Sequence, residues 1–182
     1  LLECGGELHD KAVQDIIRMW PVGESARTNV RKDLNIAVHS DSIGLSRVKG
    51  QWYVTPIARH YPAFSAMLTE WGKRMAGLPR ERSFTSISLN AFFDSPPHED
   101  RGNYGPSWTR SFGAFEGGLL QVWSKIGTEG PSVLVDTQSA CAVFDGNITH
   151  AVTRTSGWRW SIVYYTASQS WDAPPEMQNQ LM

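Results

Sequence analysis

His98, Asp100 and His150 are the residues of this sequence best placed by type and spacing to do chemistry. In Pro96-Pro97-His98-Glu99-Asp100 an imidazole and a carboxylate stand two positions apart. In an extended backbone, residues i and i+2 project from the same face. One short segment can therefore offer both groups to one ion. His150 supplies a third donor from much later in the chain. Two histidines and one carboxylate on one face of a metal, with its other positions open, suit divalent iron that also takes a chelating co-ligand and O2. Taken alone, His98-x-Asp100 has a plainer reading as a turn with a hydrogen-bonded pair.

Arg159 and Ser161 form a second constellation, again at i and i+2 and so on one strand face. A guanidinium is built for bidentate capture of a carboxylate, and a neighbouring serine hydroxyl adds one more hydrogen bond. An arginine pointing inward from the apolar run 160–165 is expensive without an anionic partner. The competing reading is an exposed strand arginine.

Together, His98-x-Asp100, His150 and Arg159-x-Ser161 resemble the Fe(II)/2-oxoglutarate-dependent dioxygenases, over about residues 84–166. Two turns strengthen the likeness. Phe144-Asp145-Gly146 resembles the family's turn before the distal histidine, and Phe115-Glu116-Gly117-Gly118-Leu119 its turn after the His-x-Asp strand. The resemblance implies a double-stranded β-helix (jelly roll, cupin-like) with Fe(II) held by His98, Asp100 and His150. It implies 2-oxoglutarate as cosubstrate, its distal carboxylate on Arg159 and Ser161, with O2 as oxidant. Succinate and CO2 leave, and a substrate C–H becomes an alcohol. Asn90, on the strand leading to the ligands, is a candidate to face the cosubstrate; plain strand hydrogen bonding is its rival role.

Ser88-Leu89-Asn90 and the loop from His98 to Ser107, with Asn103-x-Gly105-Pro106-Ser107, are similar to the TET/JBP-like branch. That likeness implies a nucleobase or nucleic-acid methyl group as substrate. Tyr104 and Trp108 are the candidates to stack on a base, or to fill the loop's own small core, and Arg110 to meet an anion. A small-molecule or amino-acid hydroxylase on the same scaffold is the alternative. A non-catalytic jelly-roll binding domain is the other, though retention of all three ligands and of the Arg–Ser pair favours the enzyme.

The elements that must position these groups are mostly strands. Residues 9–20 read as an amphipathic helix capped by Asp10, with Val13, Ile16, Ile17 and Trp20 as its core stripe and Pro21 as its stop. Residues 61–76 form a second helix with Phe64, Met67, Leu68, Trp71 and Met75 on one side. Short strands are expected at 36–38, 43–48 and 52–54. Residues 84–93 alternate, with Ile87, Leu89 and Ala91 on one face and Ser86, Ser88, Asn90 and Phe92 on the other. Further strands are expected at 107–112 after a polar loop at 101–106, then at 119–123, 132–135 and 140–144. A hairpin is expected from 150–153 and 158–166 about Ser156-Gly157. Residues 168–182 read as a polar tail, packed, if at all, through Trp171. Many short strands at regular turn spacing make the class mainly β with supporting helices.

The 182 residues are read as a single domain, with 41% hydrophobic and 19% charged residues. A formal charge of -1 leaves no overall electrostatic footprint for nucleic acid; Arg27, Arg31 and Lys32 read as a solvated loop, with a basic lip for a phosphate-bearing substrate as the alternative. Cys4 and Cys141 are too far apart and too few for a disulfide framework. No apolar run reaches the roughly 20 residues of a membrane helix, and no signal peptide is visible, so no membrane partner is expected and an intracellular setting, cytoplasmic or nuclear, is. His39 and His60 lack partners at metal spacing, and Asn147-Ile148-Thr149, a glycosylation pattern, is read as structural.

Overall fold

The computed structural model describes residues 9–25, 38–75, 84–92 and 94–178. In chain order these carry α1 (Asp10–Met19), β1 (Glu24–Ser25), β2 (Val38–Val48), β3 (Gln51–Val54), α2 (Pro56–His60) and α3 (Pro62–Met75). Then come β4 (Ser86–Ala91), β5 (Asn103–Gly117), β6 (Leu120–Trp123), β7 (Ser132–Val135), β8 (Ala142–Phe144), β9 (His150–Val152), β10 (Thr155–Ala167) and α4 (Pro175–Gln178). The larger sheet runs β1-β2-β4-β10-β5-β8, with β3 paired to β2; the smaller runs β7-β6-β9. Every strand pairing is antiparallel. The fold is a jelly-roll double-stranded β-helix backed by helices.

β4 shows how the sequence builds it. All six of its residues are buried, yet their chemistry alternates. Ile87, Leu89 and Ala91 join Phe112, Trp160, Ile162 and Tyr164 in a core closed by Val13 and Ile17 of α1 and Met67, Leu68 and Trp71 of α3. Each of the Val, Leu, Ile, Phe and Met side chains among them contributes roughly 1.5–3 kcal/mol by leaving water. Ser88 and Asn90, on the other face, line a cavity between the two sheets. The sheet thus packs dry on its helix side and polar on its inner side.

The helix stripes pack as their spacing predicts. Trp20 stacks on Phe64 at 4.1 Å between ring centres and meets Tyr61 edge-on, so it joins α1 to α3 instead of holding a ligand. Asp10 does not cap α1. His9 occupies that position without a side-chain capping bond, and the Asp10 carboxylate instead accepts from Trp71 Nε1 at 2.9 Å and from Arg110 Nη1 at 3.0 Å.

Several strand boundaries differ from the sequence reading. β2 is one strand from Val38, with 36–37 outside the described residues; 26–37, with Arg27, Arg31 and Lys32, lie there too, as does Cys4. The polar stretch 103–106 is not a loop but the start of β5, since Asn103 and Tyr104 pair with Ala167 and Thr166 of β10. The hairpin about Ser156-Gly157 does not form. β9 pairs with β6 in the smaller sheet, while β10 pairs with β4 and β5 in the larger; two adjacent strands that alternate well can still cross between sheets. Beyond β10 the chain packs through Ser170, Ala173 and Met177, and Trp171 is exposed. Among the described residues no helix is long and apolar enough to cross a membrane.

Gly72 lies against Tyr164, whose ring would stand 2.3 Å from a Cβ added there; the Tyr164 hydroxyl donates to Leu68 O at 2.9 Å. An alanine in a helix interior normally gains about 1 kcal/mol over glycine. Gly72→Ala should reverse that sign and lower the denaturation midpoint, whereas Tyr164→Phe should cost about 1 kcal/mol. Urea titration of the two variants checks both.

Candidate metal and cosubstrate site

The segment ahead of Asp100 is zipped onto β9 by its backbone. His98 N donates to His150 O at 2.9 Å and His150 N to His98 O at 3.0 Å. Val152 N donates to Ser95 O, and Asp100 N to Gly146 O at 2.7 Å. The two histidines are therefore cross-strand partners, and Asp100 follows His98 on the same side. A second tie runs between their neighbours: Thr149 Oγ1 donates to Glu99 Oε1 at 2.5 Å. That bond, with Arg101 behind it, holds the Glu99 carboxyl below its usual range.

The ring nitrogens are set by the backbone as well. His98 Nδ1 faces Pro96 O at 2.8 Å and His150 Nδ1 faces Ile148 O at 2.9 Å. A carbonyl only accepts, so each Nδ1 carries the proton and each Nε2 presents its lone pair. His98 Nε2 lies 3.9 Å from Asp100 Oδ1, and His150 Nε2 lies 3.8 Å from Asp100 Oδ2. These are too long for hydrogen bonds. One donor atom from each residue falls within 4.8 Å of the others. The donor set, one carboxylate oxygen and two neutral imidazoles, fits Fe(II).

The three groups open into a cavity of about 820 Å³ between the sheets, within the size range of ligand pockets. On its β10 wall stand Arg159 and Ser161, 4% and 6% exposed. Among the described residues Arg159 Nε has no hydrogen-bond partner, and burial pushes the guanidinium down to about 10, with Asp94 opposing the shift. At neutral pH it stays charged. Gly118 makes the room: at φ 63°, a Cβ there would lie 2.8 Å from both Cδ and Nε of Arg159. A buried cation with an unanswered donor, in a cradle only glycine leaves open, fits a carboxylate such as the distal one of 2-oxoglutarate.

Asn90 lines the same wall. Its Oδ1 accepts from Ser40 Oγ at 2.8 Å and from Ser88 Oγ at 3.2 Å, and its Nδ2 donates to Ser161 Oγ at 3.4 Å. It faces the cavity and steadies Ser161 through side-chain bonds, whereas strand pairing is made by its backbone.

The structure does not bring the three expected rim residues here. Trp108 and Arg110 stand on the helix side of β5, Trp108 against the core and Arg110 paired with Asp10. Register explains this: Ser111 lies opposite Ser161 and Thr109 opposite Val163, so the residues between them point the other way. Tyr104 is exposed beside Trp171, with ring centres 5.3 Å apart. His39 meets Val22 O, and His60 is exposed at the end of α2. Cys141 is half-buried, and burial raises its thiol. Asn147 Nδ2 donates to Asn103 O and Asp145 Oδ1, a structural role in the turn.

Sequence reasoning missed the Glu99–Thr149 tie and the role of Gly118. The signal for Gly118 was present, since paired glycines mark a close approach as well as a turn.

No protein-family model and no curated protein sequence matches the chain. Its fold is similar to a crystal structure of an oxidoreductase of the 2OG-Fe(II) oxygenase family from Burkholderia pseudomallei, with TM-score 0.59 and 18% identity, over 88% of this chain and 83% of that one. It is also similar to the structure of OsALKBH1, with TM-score 0.51 and 12% identity, over 87% of this chain and 94% of that one. At these identities the likeness is one of fold.

Removing the buried charge should separate stability from binding. Arg159→Met keeps the volume and discards the desolvation cost, so the free protein should gain about 1–3 kcal/mol. Because burial lowers the cation's pKa, the gain is full at neutral pH and shrinks as pH rises above about 10, where the native arginine sheds its proton. Thermal denaturation at neutral pH and above pH 10 checks the sign.

Proposed function

We propose that the chain is a 2-oxoglutarate-dependent non-haem iron dioxygenase that hydroxylates a substrate C–H bond, releasing succinate and CO2. The observation that carries this reading is the convergence, in one cavity, of two Nε2 lone pairs and a carboxylate with a buried guanidinium lacking a partner at Nε. When bound, Fe(II) with 2-oxoglutarate and O2 supplies the oxidising chemistry, in which decarboxylation of the cosubstrate drives transfer of one oxygen atom to the substrate.

The chain's own residues position and enclose. His98, Asp100 and His150 hold the metal from one side. Arg159 and Ser161 fix the far carboxylate of the cosubstrate, and Asn90 holds Ser161. The serine-lined wall offers hydrogen bonds, while Leu120, Phe144 and Val152 give the cavity an apolar stretch of wall. Such orientation and solvent exclusion are what a protein adds to a cofactor's chemistry.

For the substrate, the likeness of the loop 98–107 to the TET/JBP-like branch supports a nucleobase or nucleic-acid methyl group. A small-molecule substrate is the second reading, favoured by the placement of Trp108 and Arg110 behind the sheet and of Tyr104 beside Trp171. The free thiol of Cys141 suits a reducing, intracellular setting, cytoplasmic or nuclear.

Anaerobic addition of Fe(II) and then 2-oxoglutarate should give a visible charge-transfer band, and admission of O2 should release succinate. No succinate, coupled or uncoupled to any substrate, would overturn the enzyme reading and leave a binding domain. His98→Ala should abolish iron binding. Arg159→Ala should weaken 2-oxoglutarate roughly 10- to 100-fold, the worth of a charge-assisted bond, with iron affinity unchanged.

A further inference from the structure

The mouth of the cavity holds a group that the dioxygenase reading leaves unused. Arg47 stands directly opposite Trp52 across the β2–β3 hairpin, with Cζ 5.3 Å from the indole centre. Its Nε donates to Gly50 O at 3.2 Å, and its Nη1 donates to Gln169 Oε1. Gln169 comes from beyond β10 and sits at φ 61°, a left-handed conformation that costs a non-glycine residue energy and gathers at functional sites. Gly44, at φ 103°, breaks the alternation of β2. Ile43 packs toward the helices, but Leu45 and Arg47 line the cavity. An exposed arginine normally keeps its rotamer freedom; this one is held by an aromatic face, a turn carbonyl and a distant amide.

The charges around it favour an anion. Arg47, Arg101 and Arg159 line the cavity against Glu99 and Asp100. Glu99 is engaged by Thr149 and Arg101, Asp100 belongs to the ligand set, and Arg159 serves the opposite wall. We propose that Arg47, stacked on Trp52, is a subsite for an oxyanion, a carboxylate or phosphate, carried by the substrate at the cavity mouth while its reacting carbon lies at the metal ligands. Naming the bound molecule as substrate rests on the dioxygenase reading; the anion site itself does not.

The test titrates the intact protein, free of iron and 2-oxoglutarate, with inorganic phosphate and separately with acetate. The readout is the set of tryptophan indole N–H resonances, Trp52 being identified by its loss in Trp52→Phe. We expect a saturable shift at Trp52, at least tenfold weaker in Arg47→Gln. Gln169→Ala, which loosens the guanidinium without removing it, should weaken binding about two- to fivefold. The tighter of the two anions identifies the substrate group. A Trp52 shift that survives Arg47→Gln, or none with either anion, overturns the subsite. If the shift is present and succinate release is not, the subsite stands and the dioxygenase reading falls.

Discussion

The reciprocal backbone pair between His98 and His150 is the constraint on which the site depends. It makes two of the candidate ligands cross-strand neighbours before any side chain is considered, so their separation is set by sheet geometry. The same pairing fixes Asp100 through Gly146, and the i−2 carbonyls choose the tautomer of both imidazoles. Little is left to rotamer choice. The three candidate groups are set by backbone pairing and face the cavity, an arrangement that suits a metal with a chelating co-ligand.

The second constraint is the division of labour between the faces of the large sheet. Stability is concentrated on the helix side, where Trp71, Leu68, Ile87, Ile162 and Tyr164 are almost fully enclosed. The inner face gives up apolar burial in return for Ser40, Ser88, Asn90, Ser161 and Arg159. It avoids the penalty of unpaired polar groups by bonding most of them to one another. Arg159 is the exception: among the described residues its Nε finds no partner.

Much of this was legible in the sequence, and the reasons are local. The alternation in 86–91 placed Ile87, Leu89 and Ala91 on the core side and Ser88 and Asn90 opposite them, because strand periodicity needs no tertiary knowledge. The helical stripes and the i, i+2 pairs at 98/100 and 159/161 were readable for the same reason. What misled was pairing. β9 and β10 looked like a hairpin, and only the sheet order sends one to β6 and the other to β4 and β5. The face of β5 carrying Trp108 and Arg110 depends on its register with β10. Asp10 looked like a cap because its attraction to Trp71 and Arg110 comes from residues remote in sequence.

The tie between Glu99 and Thr149 spans 50 residues of chain, and it bears on the order of assembly. Contacts so distant in sequence form late in folding, after the loop between them has paid its closure entropy. Strands β5 to β8 lie within that loop, so the tie closes around much of the jelly roll. An ion held by His98, Asp100 and His150 would then act as a latch on a nearly finished protein, slowing its opening more than its closing.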